Sequence, residues 1–199
     1  MQLCPGAGVW GGLMPPAAGG LFTIFPGGTV PATDTDGVVL GLDPGSRVTG
    51  YGFVREVSGV LSLVAAGVVR TGSESDFPRR LGIIYGAVAD LIGRYAPVEV
   101  SVENVFVSKN PGTALKLGQA RGAALAACAV AGLPVFSYEP TIIKKSLVGT
   151  GRAEKSQVAF MVGRVLACRE TFAVDATDAL AAAVCHCNQR RLTRLCGAR

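Results

Sequence analysis

Residues 37–69 read GVVLGLDPGSRVTGYGFVREVSGVLSLVAAGVV, and their pattern decides the fold. Residues 37–43 are a short apolar run, the mark of a buried strand. Pro44, Gly45 and Ser46 interrupt it as a turn. Residues 49–57 and 60–69 are rich in Val, Tyr and Phe and read as two further strands, joined at Ser58 and Gly59, a hairpin signal. Three consecutive strands with short links form an antiparallel meander.

The period then changes. Leu81, Ile84, Val88, Leu91, Ile92 and Tyr95 recur at helical spacing behind Asp76 and Pro78, and Pro97 ends that helix. Val98, Val100 and Val102 alternate with Glu99, Ser101 and Glu103, which predicts a strand. Residues 104–112 read as a loop. Residues 113–130 form a helix so rich in Ala and Gly that another helix can approach it closely, and 134–138 form a strand. Helices follow near 139–147 and 153–167, and a last Ala-rich helix spans about 175–190. The order β-β-β-α-β-α-β-α-α-α predicts an α/β fold. Its mixed five-stranded sheet is an antiparallel meander extended by parallel strands, covered by helices on both faces.

At 199 residues the chain is long enough for one ordinary domain with its own core. Hydrophobic residues make up 49% and charged ones 17%, a globular balance that excludes a disordered chain. No run of about 18 apolar residues lacks a Gly, Pro or charge, so no membrane span is expected and the location is read as cytoplasmic. The net charge of +5 suits an anionic partner without identifying one. Residues 1–36 are rich in Gly, Pro and Ala and hold no Lys or Arg, and Gly and Pro break every candidate apolar core of a secretory signal. They are expected to be a poorly ordered appendage or a mis-assigned start. The domain proper is read as 37–190, with a basic tail at 191–199. The six cysteines form no disulfide framework and no C-x-x-C pair. Cys185 and Cys187, flanking His186, sit about 200° apart around a helix and cannot chelate one ion together. Reduced thiols are therefore expected, not a zinc site. His186 itself reads as helix packing or surface.

Four acids stand out among the 14. Asp43 ends a buried strand, where an unpaired carboxylate would cost several kcal/mol and calls for a partner or a cation. An ordinary Asp-Pro-Gly-Ser turn explains it equally well. Glu103 ends the strand at 98–103 on the face of Glu99 and Ser101, a pattern that also fits a solvated face. Asp175 and Asp178, three residues apart, share one face of a helix, where favourable interaction with the helix dipole is the plain alternative. As a set, strand-end acids and a helix pair can converge at one edge of the sheet. Hard oxygen ligands suit Mg²⁺, and two such ions about 3.5–4 Å apart can activate water and stabilise the leaving oxygen of a phosphodiester.

Residues 149–156 suggest a phosphate loop, but the Walker pattern needs Gly where Glu154 stands and no strand clearly precedes the segment. Arg152 and Lys155 at this helix start, with Lys144 and Lys145 before it, can still meet a backbone phosphate. Lys109, Lys116 and Arg121 form another cluster. Convergence on one face would make a nucleic-acid groove; solvated charge is the alternative for each. Phe106, in the loop after Glu103, either stacks on an unpaired base or folds back onto the core.

Taken together, these segments resemble the RuvC-type Holliday junction resolvases, over roughly residues 37–190. The motifs are Gly41-Leu42-Asp43-Pro44-Gly45, Val102-Glu103-Asn104-Val105-Phe106, Ala114 through Gly122, Gly151 through Val158, and Asp175 through Ala181. The resemblance implies an RNase H-like fold and a homodimer built on the helix from Thr113. It implies paired nicking of four-way DNA junctions with Mg²⁺, two ions per subunit, and RuvA and RuvB as branch-migration partners. Asp43, Glu103, Asp175 and Asp178 match the family's catalytic and metal-holding acids. Lys144 and Lys155 match basic residues linked to DNA, and Phe106 matches the aromatic linked to unpaired bases. The segment 1–36 departs from the family, whose members usually begin just before the first strand. Two other classes fit the sequence less well. A sugar kinase or actin-like ATPase needs two such domains and a longer chain. A non-catalytic binder of branched DNA has no need of four acids.

Overall fold

A computed structural model describes residues 37–72, 74–104 and 110–197. They belong to the second of two units, Met1–Thr33 and Asp34–Arg199. The expectations for residues 1–36, for Phe106 and Lys109, and for Arg199 fall outside the described residues. The elements are β1 (Gly37–Asp43), β2 (Val48–Val57), β3 (Val60–Arg70), α1 (Phe77–Tyr95), β4 (Glu99–Glu103), α2 (Pro111–Val130), β5 (Val135–Tyr138), α3 (Pro140–Val148), α4 (Lys155–Val165) and α5 (Val174–Gly197). The five strands form one sheet in the order β3-β2-β1-β4-β5. β1, β2 and β3 pair antiparallel, and β4 and β5 run parallel to β1. The predicted element order and mixed sheet are therefore observed.

Local chemistry sets the helix ends. The Asn110 side chain accepts from the backbone N–H groups of Gly112 and Thr113, and Pro111 fits the first turn, so α2 starts two residues before the predicted Thr113. Gly149, at φ 85°, ends α3 in the left-handed conformation that favours glycine. The Glu154 N–H donates to Gln157 Oε1 at 2.8 Å, which starts α4. Residues 149–154 are thus a link between two helices, with no strand ahead of them, and the phosphate-loop reading is excluded on topology.

Strand alternation sorts the sheet into two cores. Val38, Leu40 and Leu42 of β1, with Phe53, Val100 and Val102, face α1 and α2, meeting Ile84, Val88, Ala120 and Ala124. Val39 and Val54 face the other way, toward α3, α4 and α5. That second face is mostly glycine and polar: Gly41, Asp43, Gly50, Gly52, Glu56, Glu99, Ser101 and Glu103 all lie on it by alternation. The solvated face read for β4 is corrected here: Glu99 is 4% exposed and Ser101 0%, because α5 covers them. α5 continues to Gly197, past the helix end expected near 190, and its Arg190 is buried against Glu99 and Glu56 of the sheet.

α5 lies unusually close to the strands. A Cβ on Gly41 would sit 1.9 Å from the Ala179 carbonyl oxygen, and one on Gly50 would sit 1.9 Å from that of Asp175. Helix backbone therefore rests on strand backbone, with Ala176, Ala179, Ala182 and Ala183 filling the narrow gap. Gly41→Ala is expected to lower stability by about 3 kcal/mol or more, because the clash is with backbone and cannot be relieved by a rotamer. Gly93→Ala, on α1 with open space around it, is expected to raise stability by about 0.5–1 kcal/mol through helix propensity. Thermal denaturation of the two variants checks both signs.

Candidate active site

The parallel register of β1 and β4 pairs Leu42 with Val102. Asp43 and Glu103 follow as the last residues of adjacent strands, at the same edge of the sheet. On the other side Asp43 pairs with Gly50 of β2, and Gly50 is where the first turn of α5 touches down. The chain thus brings Asp175 and Asp178 to the edge that carries Asp43 and Glu103. Asp43, Glu103 and Asp178 line one cleft of about 330 Å³ with Asn104, Lys144 and Lys155. Asp175 does not line it, but lies near enough to act on Asp43 electrostatically.

Charge at this edge is unbalanced. Burial pushes the Asp43 carboxyl from its ordinary 3.8 up to about 7, with Glu103, Asp178 and Asp175 adding repulsion and Lys155 opposing. Burial, then Asp178, also raises Glu103, against Lys155 and Lys144. Lys155 Nζ donates to Asp178 Oδ2 at 2.8 Å. The Lys155 side chain is 70% exposed, so this pair is solvent-screened and contributes at most about 1 kcal/mol. It holds Lys155 ionised but does not neutralise the cluster.

Such a set of hard oxygen donors, two of them raised toward protonation, fits a divalent cation. Among the described residues no three Asp, Glu, His or Cys side chains hold an ion by themselves. A cation here would take one or two carboxylates and complete its shell with water and phosphate oxygens, as Mg²⁺ commonly does.

The basic residues separate into two groups. Lys144 and Lys155 sit in the cleft. Arg152 and Lys116 are exposed, the one between α3 and α4 and the other on α2. Arg121 is not a free surface cation: its Nη2 donates to Asn104 Oδ1 at 3.3 Å and to Ser137 Oγ at 2.9 Å. Asn104 in turn donates to Glu139 Oε1 at 2.9 Å, and Glu139 raises Glu103. Sequence reasoning missed Asn104 and Glu139 as site residues. Only the position of Asn104, directly after Glu103, signalled its place.

Sequence reasoning also missed a buried cluster. His186 is 2% exposed, with Nε2 on Glu99 Oε2 at 2.9 Å and Nδ1 on the Tyr138 hydroxyl at 2.8 Å. Arg190 donates to both Glu99 and Glu56. The His186 bond and Arg190 hold Glu99 below the usual carboxylate range, while burial pushes Tyr138 up to about 12.

A family model described as "Crossover junction endodeoxyribonuclease RuvC" matches residues 39–186. A crossover junction endodeoxyribonuclease RuvC of Solidesulfovibrio magneticus is 82% identical over 168 residues, covering 84% of this chain and 99% of the relative. Thermus thermophilus RuvC, solved in complex with Holliday junction substrate, aligns with TM-score 0.74 at 36% identity, covering 78% of this chain and 96% of that one. The yeast mitochondrial Holliday junction resolvase shares the fold, with TM-score 0.61 at 14% identity over 79% of this chain and 80% of that one.

The raised Asp43 carboxyl makes stability depend on pH, and on any cation that competes for it. Its native form binds a proton that the unfolded chain releases near pH 4, so this group's contribution to metal-free stability falls as pH rises from about 4 to about 7. A divalent cation competes with that proton. The rise in Tm on adding Mg²⁺ is therefore expected to grow between pH 5.5 and 8, and to lose most of that growth in Asp43→Asn. Thermal unfolding in EDTA and in Mg²⁺ across this range reads it. Equal metal-induced shifts at both ends would contradict the assignment.

Proposed function

Because the chain belongs to the RuvC family of crossover junction endodeoxyribonucleases, we infer that its carboxylate cleft is where Holliday junction DNA is cut. The enzyme is a DNA endonuclease that resolves Holliday junctions in recombination and repair. The finer reading is that Asp43, Glu103, Asp175 and Asp178 are the catalytic acids, acting with two Mg²⁺ ions per subunit. The observation that carries it is the convergence of Asp43, Glu103 and Asp178 on one cleft flanked by Lys144 and Lys155.

When bound, the divalent ions supply Lewis-acid activation of water and neutralise charge at the leaving oxygen. The residues of the chain do the rest. Asp43, beside the other carboxylates and raised toward protonation, would hold the cations in its ionised form. Glu103 and Asp178 close the cleft from the strand and helix sides, with Asp175 adding negative potential from one turn back. Lys155 and Lys144 offer cations to non-bridging phosphate oxygens. Asn104, pinned by Arg121 and Glu139, holds the end of β4 in place beneath Glu103.

DNA contacts beyond the cleft are assigned to Lys116 and Arg152, which are exposed, and to Phe106 and Lys109. Arg121 serves the DNA through Asn104. Residues 37–190 form the nuclease domain, and the protein works as a cytoplasmic homodimer with the branch-migration proteins RuvA and RuvB. Leu115 of α2, 65% exposed on a helix otherwise rich in Ala and Gly, supports the dimer. Among the described residues no helix is long and apolar enough to cross a membrane.

Asp43→Asn and Asp178→Asn are each expected to lower cutting of a synthetic four-way junction at least 10³-fold while leaving junction affinity within a few-fold of wild type. Gel assays of cleavage and binding, with Mg²⁺ or EDTA and with linear duplex as control, separate the two effects. Full cutting by either variant, or cutting in EDTA, would overturn the assignment.

A further inference from the structure

The buried polar groups beneath α5 follow a spacing that bears on the cleft. Along β4, Glu103, Ser101 and Glu99 point to the same side. Along α5, Asp178, Ala182, His186 and Arg190 recur every four residues. Glu103 and Asp178 line the cleft together. One step away, Ser101 Oγ donates to the Ala182 carbonyl at 2.7 Å, fully buried. Another step on, Glu99 meets both His186 and Arg190. Two strand residues advance about 6.6 Å and four helix residues about 6.0 Å, so strand and helix keep in step for this length.

The apolar surface between them does little to choose that step. Between α5 and β4 it is small, since Glu99, Ser101 and Glu103 are the β4 residues on this face; the large buried Leu180 sits over Gly52 of β2 instead, and apolar contact is non-directional. Hydrogen bonds are directional, and buried ones are costly to leave unmade. The far end is tied on several sides. Tyr138 of β5 bonds His186 Nδ1, and the Phe136 ring stacks on the imidazole with centroids 4.4 Å apart. Arg190 reaches across to Glu56 of β2.

We infer that Ser101, Glu99 and His186 are positioning residues that set the axial register of α5 on β4, and thereby the placement of Asp178 against Asp43 and Glu103. A slip of one residue would turn Asp178 by about 100° and carry it out of the cleft. None of the three lines the cleft. The inference rests on the reading of the cleft carboxylates as the groups that hold divalent ions.

The test uses the full chain with Ser101→Ala, Glu99→Gln and, as a control, Val88→Ala, which opens a cavity between α1 and the opposite face of the sheet. Two readouts are taken: the Mg²⁺ concentration for half-maximal junction cleavage, and that for the half-maximal rise in Tm without DNA. Ser101→Ala is expected to raise both about tenfold, the usual scale for partners that orient metal ligands. The KM for junction and the kcat at saturating Mg²⁺ should stay near wild type. Glu99→Gln is expected to move in the same direction. Val88→Ala is expected to lose metal-free stability with a wild-type Mg²⁺ response. If Ser101→Ala and Glu99→Gln lower Tm but respond to Mg²⁺ as wild type does, the groups are merely structural and the inference is overturned. A wild-type protein with no Mg²⁺ response in either readout would sink the metal reading itself, and this inference with it.

Discussion

The contact of α5 backbone against the glycines of β1 and β2 is the constraint on which the rest depends. At Gly41 and Gly50 the helix carbonyls occupy space that any side chain would need. Only because of that closeness does the first turn of α5 reach the sheet edge where β1 and β4 end. The parallel pairing of β1 and β4 aligns Asp43 with Glu103, and the seated helix adds Asp178. Three segments distant in sequence thus deliver carboxylates to one cleft.

The same face of the sheet handles buried acid in two ways. At one end, Glu56 and Glu99 share Arg190, with His186 and Tyr138 completing the hydrogen bonds. That cluster brings its own cation, and removing one partner would strand a buried charge at a cost of roughly 3–5 kcal/mol. At the other end, a mostly exposed Lys155 is the described cation that acts most strongly on Asp43 and Glu103, and burial together with repulsion among the acids raises both. The balanced end confers order. The unbalanced end is left with excess negative charge, which a cation from solution would offset.

Much of this was legible in the sequence. The run at 37–43, the hairpin at Ser58-Gly59 and the helical spacing of Ile84, Val88 and Ile92 report local physics, and the elements they predicted are present. The four acids could be picked out, but each had an ordinary explanation until motifs placed them together. What failed was the reading of β4. Polar residues alternating with valine describe a half-exposed strand equally well as one whose polar side lies under a helix of alanines, and only tertiary contact separates the two. For the same reason His186 passed for packing or surface, since its partners Tyr138 and Glu99 lie 48 and 87 residues away in sequence. Arg121 looked like a free basic residue because its partner Asn104 lies 17 residues earlier in sequence.

The position of a bound divalent ion is the most direct measure of what the carboxylate cleft does. Crystals of the protein soaked in Mn²⁺, with data collected to locate the metal by its anomalous scattering, should show it between Asp43, Glu103 and Asp178. Metal found only elsewhere on the molecule, or an empty cleft at saturating Mn²⁺ with Lys155 still paired to Asp178, would contradict it.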